Sequence, residues 1–348
     1  MSREEHAMRK DRRTFLQATG AVALAAGSGV PGAQAQTGMP ARPRPQGEQP
    51  APKGLTYATV QTSGGYGLGL RTDKGVLDVK AAEAALKLGA PTTVDAVIRQ
   101  EGDLSALVKL VEQARSGGDA AKHLIPEAQV KFGPAVTSPP KVLCIGLNYR
   151  AHVAEANQQI PTTPIFFNKF TTSLNAHGGT IAVSKEHAKN FDYEGELVVV
   201  MAKGGRNIPE DAALDHVFGY AVGHDFSARD LQMATSQWMM GKAGDGWGPI
   251  GPWLVSADQI DPQNLNIQTK VNGEVRQSSN TSRMIFNIRQ QIAYLSKHLT
   301  LEAGDVIFTG TPEGVISGYP KDKQVWLKAG DKITTSIEKL GDQEFTLV

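Results

Sequence analysis

Apolar and polar residues alternate with a period of two along many short stretches of this chain, and only a few stretches show the three-to-four spacing of an amphipathic helix. Residues 56–62, 66–71 and 75–78 predict strands, and 79–88 and 104–116 predict helices. Beyond Lys141 the pattern becomes strand, turn, strand, with Gly and Pro as punctuation. Strands are expected there at 142–146, 165–168, 196–202, 219–224, 253–256, 267–271, 305–309 and 332–337, and helices only near 209–217 and 282–299. Asn272-Gly273 sits between two such runs and favours a two-residue hairpin, because both residues tolerate a left-handed backbone. Strands do not alternate with helices, so the expected class is α+β rather than a parallel αβ array. A small α+β domain over 55–136 would lead through Thr137-Ser-Pro-Pro140 into a larger, strand-rich domain over 137–348. There is no repeat at a solenoid period.

The first 54 residues do not fit this pattern. Arg12 and Arg13 precede an Ala/Gly-rich apolar run from Ala18 to Val30, and Ala33-Gln-Ala35 follows as a small-x-small cleavage site. This order predicts a twin-arginine (Tat) export signal over 1–35, cut after Ala35, with the Tat machinery as partner and the periplasm as destination. The run is too short and glycine-rich for stable membrane insertion. Residues 36–54, rich in Pro, Gln, Gly and Ala, read as a disordered linker. The remainder is ordinary: 40% hydrophobic residues and a formal charge of +1 in 348 residues give no reason to expect nucleic acid as a partner. The single cysteine, Cys144, has no disulfide partner within the chain, and its apolar strand setting offers no cation or helix start to activate a thiol.

The candidate chemistry begins at Asp192-Tyr-Glu194-Gly-Glu196. Side chains two apart on a strand share a face, so Glu194 and Glu196 project together at the mouth of a β-favouring run. Like charges so placed repel unless a cation joins them. Asp225, after a second β-like run, completes an all-oxygen set suited to Mg²⁺, Mn²⁺ or Ca²⁺ rather than Zn²⁺. A solvated strand end whose acids pair with Lys or Arg has the same spacing. Three protein ligands leave coordination positions for water and for a 2-oxo acid, which chelates through its carboxylate and keto oxygens and whose enolate the metal would stabilise. His152 and Glu155, three apart on a helical turn, are neighbours able to form a water-activating pair, though exposed His–Glu contacts are common. Lys242, Arg229 and Lys169 are candidate cations for a substrate carboxylate or oxyanion, with a carboxylate partner as the alternative for Arg229. Thr309-Gly-Thr311-Pro could present hydroxyl and backbone donors or form a plain turn. Dinucleotide, phosphate-loop, nucleophile-elbow and His-Glu-x-x-His patterns are missing from the sequence or lack their setting.

These residues fall in an ordered series: Gly146-Leu-Asn-Tyr-Arg-Ala-His152, Phe167-Asn-Lys169, Asp192-Tyr-Glu-Gly-Glu-Leu197, Asp225-Phe-Ser-Ala-Arg-Asp230, Gln237-Trp-Met-Met-Gly-Lys242, Val271-Asn-Gly-Glu274 and Thr309-Gly-Thr-Pro-Glu-Gly314. The series, spanning roughly 141–340, resembles the fumarylacetoacetate hydrolase family. The resemblance implies a mixed β-roll domain, usually dimeric, with Mg²⁺ or Mn²⁺ held at Glu194, Glu196 and Asp225. It also implies a water-activating pair at His152 and Glu155 and an oxyanion-binding lysine at Lys242. Tyr149, Lys169, Arg229, Gln232 and Thr311 are the expected substrate contacts. Members cleave acylpyruvates and related 2,4-dioxo acids, decarboxylate oxaloacetate, or isomerise and decarboxylate hydroxymuconate-type diacids. The expected activity is therefore hydrolysis of a carbon–carbon bond in a 2,4-dioxo acid. A lyase or isomerase on the same scaffold, and a periplasmic binding protein without turnover, are the alternatives. Two departures stand out: Ala243-Gly-Asp-Gly-Trp247 replaces the family's frequent Ser-x-Asp-Thr-Phe, and His224 precedes the third acid where Asn is frequent, which leaves a histidine ligand open.

Overall fold

A computed structural model describes residues 52–348. The expected export signal, and the linker up to residue 51, lie outside the described residues. The described chain falls within one compact unit.

Its centre is a ten-stranded sheet in which neighbours run 124–125, 75–78, 65–72, 56–62, 254–256, 217–224, 195–201, 306–308, 142–146 and 165–169. The central strand, Gly195–Met201, is buried along its whole length. Val198 and Val200 enter one apolar layer, together with Leu104, Leu107, Leu110 and Val111 of the helix Leu104–Ser116. Leu197, Val199 and Met201 enter the opposite layer, with Ile288, Ile292 and Leu295 of the helix Ile288–His298. Each such side chain contributes about 1.5–3 kcal/mol by leaving water. A second, five-stranded sheet runs 274–280, 266–271, 332–337, 341–347 and 179–181.

Most elements form where the residue pattern places them, and the deviations have local causes. Helix Val79–Leu86 starts with Asp78 accepting from Ala81 N–H and stops at Lys87, whose φ of 52° ends the helix before Leu88. The hairpin at Asn272-Gly273 forms with φ values of 52° and 84°. The helix expected over 209–217 is a single 3₁₀ turn, Ala213–His216, because Val217 already pairs with the central strand. The helix expected from residue 282 begins only at Ile288, where Asn287 and Gln290 form a capping box. The strands at 56–78 and 124–125 continue the main sheet through the pairing of Thr56–Thr62 with Leu254–Ser256. The change of pattern near residue 136 thus lies within one hydrogen-bonded sheet.

Asp305, directly before the strand Val306–Phe308, is fully buried. Its Oδ2 accepts from Glu302 N–H at 2.7 Å and lies 3.1 Å from Lys141 Nζ. Burial outweighs these contacts and pushes its pKa up to about 6. The folded state therefore holds a proton that the unfolded chain releases from about pH 3.8, and this group's contribution to stability falls as pH rises through 4–6. Asp305→Asn lacks that loss. Its stability relative to wild type should rise by up to about 3 kcal/mol between pH 4 and pH 7 in denaturant titrations. A difference independent of pH would contradict the assignment.

Candidate active site

Register brings the three acids together. Gly195 pairs with His224 across two antiparallel central strands, so Glu194 lies opposite Asp225, and Asp225 N–H donates to the Glu194 carbonyl at 2.9 Å. Glu196 shares the parity of Glu194 and projects to the same side. One carboxylate oxygen from each of Glu194, Glu196 and Asp225 lies within 4.8 Å of the others, and all three residues are buried.

Three cations surround them. Lys242 Nζ bridges Glu194 Oε2 at 2.6 Å and Asp225 Oδ2 at 2.8 Å. Lys169 Nζ pairs with Asp225 Oδ1 and donates to the Lys242 carbonyl. Arg229 Nη2 lies 2.6 Å from Glu194 Oε1, and its Nε lies 2.8 Å from Asp192 Oδ2. Asp192 is a further buried acid that sequence reasoning passed over. It also accepts from Tyr193, Ile316 and Ser317 N–H, so it ties the loop after Thr311 to the arginine.

Four buried acids thus face three buried cations. The deficit falls on Glu196, whose carboxylate has one hydrogen bond among the described residues, from Gly310 N–H at 2.7 Å. Burial, reinforced by Asp225 and Glu194, raises the Glu196 carboxyl well above the ordinary range. At Glu194, burial acts upward but Arg229 and Lys242 together outweigh it and pull the carboxyl down to about 2. A divalent cation supplies what the donor set lacks: positive charge for an uncompensated carboxylate among oxygen ligands. The residues present fit such an ion.

His152 and Glu155 come together as expected, with Nδ1 2.7 Å from Oε1 on the helix Arg150–Glu155. Glu155 Oε2 accepts from Gly314 N–H at 2.8 Å. A Cβ on Gly318 would lie 2.5 Å from Glu155 Cδ, so the absence of a side chain there lets the carboxylate reach the imidazole. His152 is close enough to Glu194 for its charge to lower that carboxyl.

The residues expected on the substrate side divide. Arg229 and Lys169 are spent on carboxylates, Gln232 accepts from Arg229 Nη1 at 2.9 Å, and Thr311 Oγ1 donates to the Gly195 carbonyl at 3.0 Å. These four brace the acids. The Tyr149 hydroxyl is buried without a hydrogen-bond partner among the described residues, and burial followed by Glu196 and Glu313 raises its pKa. His224 does not offer a fourth ligand nitrogen. Its Nε2 accepts from Glu194 N–H at 3.0 Å, and burial pulls its pKa down to about 3, so it is neutral. Cys144 is buried and its thiol pKa is raised, as its apolar setting implies. An open hollow of about 420 Å³ lined by Arg71, Asp73, Arg115 and Glu127 includes none of these groups, and its exposed charges pair with one another.

The strand-rich α+β fold thus gathers a buried carboxylate triad able to hold a metal ion, together with a His–Glu pair. Residues 141–348 match the model described as fumarylacetoacetate (FAA) hydrolase C-terminal, and the chain belongs to that family. It is 42% identical over 269 residues to oxaloacetate tautomerase Fahd2a, mitochondrial, of Rattus norvegicus, covering 77% of this chain and 82% of the relative. It is 39% identical over 279 residues to oxaloacetate tautomerase YisK of Bacillus subtilis, covering 77% and 91%. A crystal structure of fumarylpyruvate hydrolase from Pseudomonas aeruginosa in complex with Mn²⁺ and pyruvate superposes with a TM-score of 0.56 and 36% identity, covering 61% of this chain and 91% of that one.

Proposed function

We propose that the protein is a metal-dependent oxaloacetate tautomerase, interconverting the keto and enol forms of a 2-oxo diacid. The observation that carries this reading is the division of labour in the site. Among the described residues of the site, the lysines and the arginine lie against carboxylates, whereas the His152 ring keeps Nε2 to handle a proton. Tautomerisation needs a proton removed from C3 and one delivered to the oxygen on C2, with no nucleophile and no leaving group. Glu155 holds His152 Nδ1, sets the tautomer that presents Nε2 as a base, and steadies the imidazolium once the C3 proton is taken. A divalent ion held by Glu194, Glu196 and Asp225 would polarise the 2-oxo group and offset the charge that develops on its oxygen. The names of the relatives, at about 40% identity over three quarters of this chain, agree with this reading.

A second reading, hydrolysis of a 2,4-dioxo acid, draws on the same His–Glu pair acting on water and on the likeness to the fumarylpyruvate hydrolase. It would also call on Lys242, whose ammonium lies against Glu194 and Asp225, to steady the oxyanion. The homodimer, and export of the chain to the periplasm by the Tat route, accompany either reading as proposals that rest on the sequence and the resemblance.

The test adds enol-oxaloacetate to the protein with Mn²⁺ or Mg²⁺ and then with chelator, subtracting the rate with metal alone. Loss of enol absorbance should accelerate only with protein and metal together, without release of pyruvate. Cleavage of acetylpyruvate without tautomer exchange would put the hydrolase in its place. Pyruvate and CO₂ from oxaloacetate would put a decarboxylase there.

A further inference from the structure

At the mouth of the central strands the face opposite the acids is polar, although further along the same face carries the apolar layer of Leu197, Val199 and Met201. Directly across the second sheet, register aligns Gln277 with Thr269, Thr269 with Thr335, and Thr335 with Gln343, and all four are buried. Gly195 allows this row to approach: a Cβ there would lie 2.2 Å from Thr269 Oγ1 and 2.8 Å from Thr335 Cγ2. Into the same contact points His224, the register partner of Gly195.

Hydrogen bonding then fixes the protons. Glu194 N–H is a donor, so His224 Nε2, 3.0 Å away, must accept and carries no hydrogen. The neutral ring therefore bears its hydrogen on Nδ1 and donates to Thr335 Oγ1 at 3.2 Å. Thr335 Oγ1 also lies 3.2 Å from Thr269 Oγ1, a contact in which either hydroxyl can be the donor. Beside this chain, Gln277 Oε1 accepts from Gly195 N–H at 3.0 Å, while its Nε2 donates to Thr311 Oγ1 at 2.8 Å.

We propose that His224, with Thr335 and Thr269 behind it, is a positioning relay that fixes the backbone at Glu194, and so the direction of its carboxylate, through the choice of imidazole tautomer. None of the three is a ligand or touches substrate. The inference rests on Glu194 as a ligand of the bound divalent ion. Removing the Thr335 hydroxyl deprives Nδ1–H of its acceptor in a dry contact, which favours the other tautomer. Nε2–H then faces Glu194 N–H, two donors meet, and the strand mouth shifts.

The experiment compares wild type, Thr335→Val, which keeps the shape, and Thr335→Ser, which keeps the hydroxyl. Mn²⁺ affinity is measured by calorimetry, and the His224 tautomer by long-range ¹H–¹⁵N spectra of histidine-labelled protein, its signal identified by loss in His224→Gln. Wild type should show the Nδ1–H tautomer. Thr335→Val should bind Mn²⁺ about 10–100-fold more weakly, as expected for loss of an outer partner of a ligand, with an unchanged circular dichroism spectrum. Thr335→Ser should stay within about threefold of wild type. An Nε2–H signal in wild type would overturn the relay without any variant having to fold. Equal Mn²⁺ affinity in wild type and Thr335→Val would overturn it too. A wild type that binds no Mn²⁺ would instead remove the metal reading, and this inference with it.

Discussion

Glu196→Gln should abolish divalent-metal binding, weakening Mn²⁺ affinity by more than about 100-fold, while the metal-free variant unfolds at or above the wild-type temperature. The two halves of this result come from one cause. Glu196 is the acid left over when three cations are shared among four carboxylates, and burial with two like-charged neighbours raises its pKa in the metal-free chain. A folded-state pKa above the unfolded value means that stability is lost as pH rises through that range, and an amide has no such loss. Gln keeps an oxygen for Gly310 N–H, so the packing survives. With a divalent ion present the logic inverts, because the same carboxylate becomes the one ligand with no competing ammonium. Turnover should fall by about 10³, the several kcal/mol that a Lewis acid supplies to a developing enolate. Calorimetric titration with Mn²⁺ and thermal unfolding in chelator read the two halves separately. Wild-type affinity in the variant would place the metal elsewhere.

His152→Ala should separate chemistry from binding. The rate of enol–keto exchange should fall by about 10²–10⁴, the range for removing a positioned general base. Mn²⁺ affinity should stay within about threefold, because His152 is held by Glu155 and by no carboxylate of the triad. Glu155→Gln should fall between wild type and His152→Ala, since the imidazole would keep a neutral partner but lose the charge that steadies its protonated form. Loss of metal affinity in His152→Ala would make the histidine a part of the scaffold instead of the base.

The triad was legible because its cause is local. Two acids two apart on a strand share a face whatever the fold, and a third acid at the end of another strand needs only antiparallel pairing to join them. The His152–Glu155 pair rests on a single helical turn for the same reason. What lay outside the reach of spacing is long-range. Lys169 is 56 residues from Asp225, and Arg229 is 37 from Asp192, so their commitment to carboxylates depends on pairings the chain makes only when folded. Asp192 sat inside the quoted motif and offered a signal, as a third acid two residues before Glu194. The polar row behind Gly195 gave almost none, because Thr269 and Thr335 are β-branched residues at home in any strand. The 3₁₀ turn at Ala213–His216 shows the opposite failure, where helical spacing was overridden by strand pairing next to it.

The most direct measurement is anomalous diffraction from crystals of the protein grown with Mn²⁺. The account predicts one strong peak within about 2–2.4 Å of an oxygen from each of Glu194, Glu196 and Asp225, with the Lys242 ammonium drawn away from at least one of its two carboxylates. A peak at other residues, or Lys242 still bridging Glu194 and Asp225 with no metal among the acids at saturating Mn²⁺, would contradict it.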